Sequence, residues 1–220
     1  MQLTPETYTS AAQVPAGPVL LVGDGATGRH MARELTATHQ VLLATGRSRR
    51  VSPEHIFGKS IFWWMDKLGL LRASRASAIG KYLMRVDPFP DKALELKRLR
   101  QLGVVVVGRL LHVDGKNVTF ESRETAAVET VIWVTGYQED ADLIAIPEAK
   151  DTQGNLLHQR GISPVPHLYV IGRSWQWTRG SALLTGVGDD AVLIKEHIVK
   201  NRGEREQPEG LQILQPGRSL

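Results

Sequence analysis

Short, unbroken apolar runs punctuate this chain, and amphipathic stretches lie between them. Val19-Leu20-Leu21-Val22 and Val41-Leu42-Leu43-Ala44 contain no polar position, the pattern of strands covered on both faces. Between them a glycine-rich stretch opens a segment with Met31, Ala32 and Leu35 at helical spacing. Strand, turn, helix and strand in so few residues predict a βαβ unit, with its two strands parallel through a right-handed crossover.

The alternation then pauses. Residues 53–90 are helical in composition and hold Phe57, Phe62, Trp63 and Trp64, read as the core of a small inserted helical segment rather than a substrate pocket or partner surface. A helix is predicted over 91–102, with Leu94, Leu96, Leu99 and Leu102 apolar, followed by a buried strand at 104–107. Strands at 110–113 and 118–120 flank Asp114-Gly115-Lys116-Asn117, a short hairpin turn. Further strands are predicted at 131–134 and 168–171, both expected to carry unpaired edges. A last helix is predicted over 189–200, with Ala191, Ile194, Ile198 and Val199 facing inward. Residues 1–18 read as an irregular lead-in and 201–220 as a loose polar tail. The class is α/β.

Composition narrows the chemistry. The chain has 220 residues and no cysteine, which excludes thiolate nucleophiles, disulfides and Cys-ligated metals. Its seven histidines show no ligand spacing, so no metal site is expected. The longest apolar run is five residues, at 61–65, far short of the roughly 20 that span a membrane. No signal peptide is visible, and a cytoplasmic protein is the expectation. A formal net charge of +4, without a basic tract, argues against a nucleic-acid partner.

The chemistry-bearing motif is Gly23-Asp24-Gly25-Ala26-Thr27-Gly28. It follows a strand and opens a helix, as a dinucleotide-binding turn must. Gly23 makes the turn, Gly25 admits a pyrophosphate against bare backbone, and Gly28 lets the helix approach the sheet. The helix N-terminus then supplies N–H groups and positive potential for the phosphates. An NAD site places an acidic residue at the end of the second strand to bond the ribose 2′-OH. This chain has no acid between Glu34 and Glu54; it has Thr45, Gly46 and Arg47, then Arg49 and Arg50. Guanidinium pairs with a 2′-phosphate, so NADP(H) is the predicted ligand, with Thr45, Arg47 and Arg50 at its ribose. A short-chain-dehydrogenase pattern needs glycine where Met31 stands, and no Tyr-x-x-x-Lys pair is present.

Residues 19–47, the segment Ile132-Trp133-Val134-Thr135-Gly136-Tyr137 and residues 175–190 together resemble flavin-containing monooxygenase-like FAD/NAD(P) oxidoreductases of the CzcO type. The resemblance covers about 15–200 and corresponds to the C-terminal half of a typical member. It implies a Rossmann-like NADP(H)-binding domain at 17–115, after a lead-in at 1–16, with a parallel sheet and an inserted helical segment. The C-terminal part of a FAD/NAD(P)-binding domain would follow at 116–200. It also implies that Thr135, Gly136, Gly172 and Ser181 lie on the flavin side, with the loop at 178–188 along the flavin.

The family's first FAD-binding glycine motif has no counterpart here, so the chain is expected to hold NADP(H) but not the FAD pyrophosphate. A complete member would pass hydride from NADPH to FAD and oxygenate a small-molecule substrate; no catalytic side chain is identified. The alternative is a non-catalytic or truncated NADP(H)-binding module. A missing N-terminal half or a second copy of the chain is the expected partner.

Overall fold

The computed structural model describes residues 1–46, 51–86, 92–137 and 140–205. Their strands and helices, in chain order, are β1 (Gln2–Leu3), β2 (Val19–Val22), α1 (Ala26–Leu35), β3 (Val41–Ala44), β4 (His55–Ile56), β5 (Lys59–Ser60), α2 (Ile61–Lys67), α3 (Ala78–Val86), α4 (Leu96–Gln101), β6 (Val105–Val107), β7 (Leu110–Asp114), β8 (Asn117–Phe120), β9 (Thr125–Ala127), β10 (Thr130–Trp133) and α5 (Val187–Arg205). The chain divides into two compact units, residues 1–64 with 85–138, and residues 65–84 with 139–220.

The first unit is built on a five-stranded sheet in the order β1-β10-β2-β3-β6, and every neighbouring pair is parallel. The α/β class and the parallel β2–β3 pair are as the sequence predicts. Apolar runs without alternation are required because both faces of the sheet are covered. Val19, Leu21, Val41 and Leu43 point to one face, where Met31, Ala32 and Leu35 of α1 join Leu94 and Leu99. Leu20, Leu42 and Ala44 point to the other, against Val118 and Phe120 of β8. The hairpin of β7 and β8 is as expected, and β9 extends it into a three-stranded antiparallel meander.

Several expectations are corrected here. The lead-in contributes a strand: Gln2 and Leu3 pair with Val131 and Ile132. Two residues carry no readable period; the pairing arises because β10 offers them a hydrogen-bonding edge. For the same reason the edge of β10 is not left bare as expected, since β2 pairs along its length and β1 pairs with Val131 and Ile132 on the other side. The helix predicted over 91–102 shortens to α4, preceded by a 3-10 turn at Lys92–Leu94, and Leu102 is exposed. Residues 55–60 form a hairpin ahead of α2. The aromatic cluster is no core: Phe57 is 92% exposed and Phe62 and Trp63 are also exposed. Trp64 is half-buried, with its indole N–H donating to the Ile56 carbonyl at 2.9 Å.

In the second unit the predicted strand at 168–171 does not form. Tyr169 makes one isolated bridge, to Ile162, and Ile171 is exposed. An apolar run becomes a strand only when a neighbour takes its backbone groups. Here the Leu168 N–H turns back to Val165 and the Val170 N–H goes to Gly161. α5 is longer than predicted, and of its expected inward residues Ile194 is buried, Ile198 is half-buried, and Ala191 and Val199 are exposed. No described helix is long and apolar enough to cross a membrane.

Candidate functional site

The winding of the sheet reverses at β2. From β2 the chain steps outward to β3 and then β6, and later returns to place β10 on the opposite side. In open α/β sheets a crevice opens at such a reversal, beyond the carboxyl ends of the strands. A cleft of about 610 Å³ lies there. Gly23–Thr27 form one wall, Ala44–Gly46 and Arg109 another, and Trp133–Tyr137 with Thr4–Glu6 a third. The structure therefore brings together Gly23, Asp24, Gly25, Ala26, Thr27, Thr45, Thr135 and Gly136, including two residues that the family resemblance assigns to the flavin side. Arg47 and Arg50 lie outside the described residues, as does Arg49.

The three glycines of the turn differ in what they permit. Gly23 has φ of +117°, and a Cβ there would sit 2.2 Å from the Val134 carbonyl oxygen. A Cβ on Gly28 would sit 2.0 Å from the Gly23 oxygen. Gly25 has φ of −69° and ψ of −175°, open to any residue, and nothing lies within 4 Å of its Cβ position. Gly25 is also the N-cap of α1 and offers no side-chain cap, so the first-turn N–H groups remain available to a ligand.

Asp24, a member of the predicted turn, has its carboxylate engaged within the fold. Its side chain is 6% exposed and pairs with Arg29, which is 2% exposed, at 3.1 Å. The Arg29 guanidinium also donates to the carbonyls of Asp24, at 2.8 Å, and Leu94, at 3.1 Å. The other Asp24 oxygen accepts the Gly46 N–H at 3.4 Å, tying the glycine turn to the end of β3. Removing one partner of such a pair leaves a buried, uncompensated charge. Asp24→Ala is therefore expected to cost about 3 kcal/mol of stability, read from urea unfolding. A loss below about 1 kcal/mol would show that the two carbonyls satisfy Arg29 on their own.

Thr45 is committed to the fold, because its N–H and hydroxyl both donate to the Val107 carbonyl, at 3.1 and 3.0 Å. Across the cleft Glu6 is fully exposed, and hydrogen bonds from Thr4 and from its own backbone hold its carboxyl below the usual range. Sequence reasoning missed Arg29 and Arg109. Arg29 had a signal, as a charge on the inner side of an otherwise apolar helix face. Arg109 had another, as a cation just beyond the end of a parallel strand.

Gly172 and Ser181 belong to the second unit. Gly172 is exposed, with φ of +82°. Ser181 is fully buried, and its oxygen accepts the N–H groups of Trp177 and Thr178 at 3.1 and 3.0 Å. Nearby in the same unit the Arg160 guanidinium stacks 4.5 Å from the Trp177 ring. Burial, together with the Arg75 charge, lowers the His158 pKa, and Asp190 acts in the opposite sense.

No protein-family model matches the chain. It is 38% identical over 202 residues to an uncharacterized CzcO-like oxidoreductase of Geobacillus kaustophilus, covering 91% of this chain and 58% of that protein. The uncharacterized oxidoreductase CzcO of Bacillus subtilis is 38% identical over 200 residues, covering 90% and 56%. The chain thus spans a little more than half the length of the curated relatives it matches. Its fold is similar to that of a flavin-containing monooxygenase from Stenotrophomonas maltophilia, with a TM-score of 0.67 at 18% identity, covering 92% of this chain and 55% of that one. A mutant flavin monooxygenase from the same organism gives a TM-score of 0.69 at 16% identity, covering 92% and 56%.

Proposed function

The chain belongs with the CzcO-like oxidoreductases, and on that premise we propose that its switch-point cleft binds NADP(H) as part of a flavoprotein oxidoreductase. The observation that carries this reading is Gly25. Packing demands glycine at positions 23 and 28 but makes no demand at 25, where the Cβ position is open and the backbone suits any residue. A bare backbone with no structural reason for it is what close approach of a pyrophosphate requires.

In this reading the N–H groups at the start of α1 hold the phosphates, and Thr45, Gly46, Arg47 and Arg50 surround the adenosine ribose. Thr135 and Gly136 border the nicotinamide end. Bound there, the nucleotide supplies hydride; the chain binds and orients it. In a complete flavoprotein the acceptor is FAD, on whose side the family resemblance places Gly172 and Ser181, and oxygenation of a small substrate follows. Titration calorimetry should show NADPH binding more tightly than NADH, and Arg47→Ala should cost roughly 1.5–3 kcal/mol for NADPH with little change for NADH. Equal affinities in the parent protein would remove the case for NADP(H).

The single glycine turn favours a second reading, a nucleotide-binding module without turnover. The sequence contains one G-x-G-x-x-G, and the first reading gives it to NADP(H). The purified chain is then expected to be colourless or only faintly yellow. One flavin per chain, with NADPH oxidised in air, would exclude the module and support the enzyme.

A further inference from the structure

We infer that Arg109 is a coenzyme-specificity residue that receives the 2′-phosphate of NADP(H) from the corner between β6 and β7. The inference rests on the dinucleotide reading of the cleft. Three charged residues line that cleft among the described residues: Glu6, Asp24 and Arg109. Asp24 is neutralised by Arg29 and held beneath the turn, so it presents no free carboxylate to an anionic ligand. Arg109 is exposed, and no described residue pairs with its guanidinium.

Its placement follows from the sheet. β3 and β6 are parallel neighbours, about 4.8 Å apart, and both chains leave them at the same edge. The second strand's end is where a Rossmann-type site holds the adenosine ribose. Thr45, the first residue beyond that end, is pinned by two hydrogen bonds to Val107, two residues before Arg109. The Arg109 backbone is held in turn, because its carbonyl accepts the Glu121 N–H at 2.8 Å. A fixed backbone with a spare guanidinium one strand from the ribose suits a bidentate pair with a phosphate dianion. The polarity agrees: Glu6 lies beyond β1, on the far side of β2 from Arg109, where the cationic nicotinamide of the oxidised coenzyme would lie.

The test compares the parent protein with Arg109→Ala and Arg109→Lys by calorimetry, using NADPH, NADH, adenosine 2′,5′-bisphosphate and 5′-AMP. Arg109→Ala should weaken NADPH and the bisphosphate by about tenfold to a hundredfold, leaving NADH and 5′-AMP within twofold. Arg109→Lys should recover part of the loss, as a point charge without the planar fork. The side chain is exposed, so melting temperatures should match and a folding defect cannot imitate the result. Unchanged NADPH binding in Arg109→Ala would overturn the assignment, as would equal weakening of NADPH and NADH. Failure of the parent protein to bind either dinucleotide would overturn the cleft reading itself, a separate outcome.

Discussion

Gly25→Val is expected to leave a folded protein that no longer binds a dinucleotide. The backbone at this position lies in the region open to any residue, and apart from its chain neighbours nothing lies within 4 Å of where the new Cβ would stand. The fold therefore loses only the difference between glycine and valine as an N-cap, about 1 kcal/mol. The isopropyl group projects into the space above the first turn of α1, where pyrophosphate would meet bare N–H groups. Affinity for NADPH should fall by roughly a hundredfold or more, equivalent to about 2.8 kcal/mol. Calorimetry and thermal melting on the same preparation check both halves. Retained affinity in a folded variant would mean that the turn connects strand to helix and does nothing more.

Gly28→Val, three residues away, should do the reverse and break the fold first. Its Cβ would lie 2.0 Å from the Gly23 oxygen and 3.2 Å from the Gly23 carbonyl carbon. Both are backbone atoms of a turn anchored by the Gly23 N–H donating to the Ala44 carbonyl of β3 at 3.0 Å, so neither can rotate aside as a side chain would. Relief requires α1 to lift from the sheet, which would open the contacts of Met31, Ala32 and Leu35 with Leu21 and Leu43. A destabilisation of about 3 kcal/mol or more is expected, above the usual range for overpacking because the obstruction is main chain. Chemical denaturation should show the midpoint falling steeply, or soluble protein failing to accumulate. A normal midpoint would show that helix and turn are not in close approach. The two variants alter the same six-residue motif yet separate its ligand-facing glycine from its packing glycine.

The motif itself was legible in the sequence, because its signals are local. The runs at 19–22 and 41–44, the glycines between them and the helical spacing of Met31, Ala32 and Leu35 specify strand, turn, helix and strand, whatever surrounds them. The β7–β8 hairpin was legible for the same reason, with Gly115 at φ of +58° in its turn. Composition was enough to exclude thiol chemistry.

Only the tertiary structure decided what those elements meet. Gln2 and Leu3 carry no strand signal, yet they pair because β10 lies beside them. Leu168 to Ile171 carry a strong signal, yet they form no strand, because the Leu168 N–H turns back to Val165 and the neighbouring segment offers a single bridge, Ile162 to Tyr169. The site divides along the same line. The glycines could be named from their spacing, whereas Arg29 beneath Asp24 and Arg109 beside the end of β3 depend on segments 5 and about 60 residues away in the chain. Periodicity and turn chemistry are set by neighbours in sequence. Hydrogen-bonded edges, charge neutralisation and membership of a cleft are set by neighbours in space, which the order of residues specifies only through the completed fold.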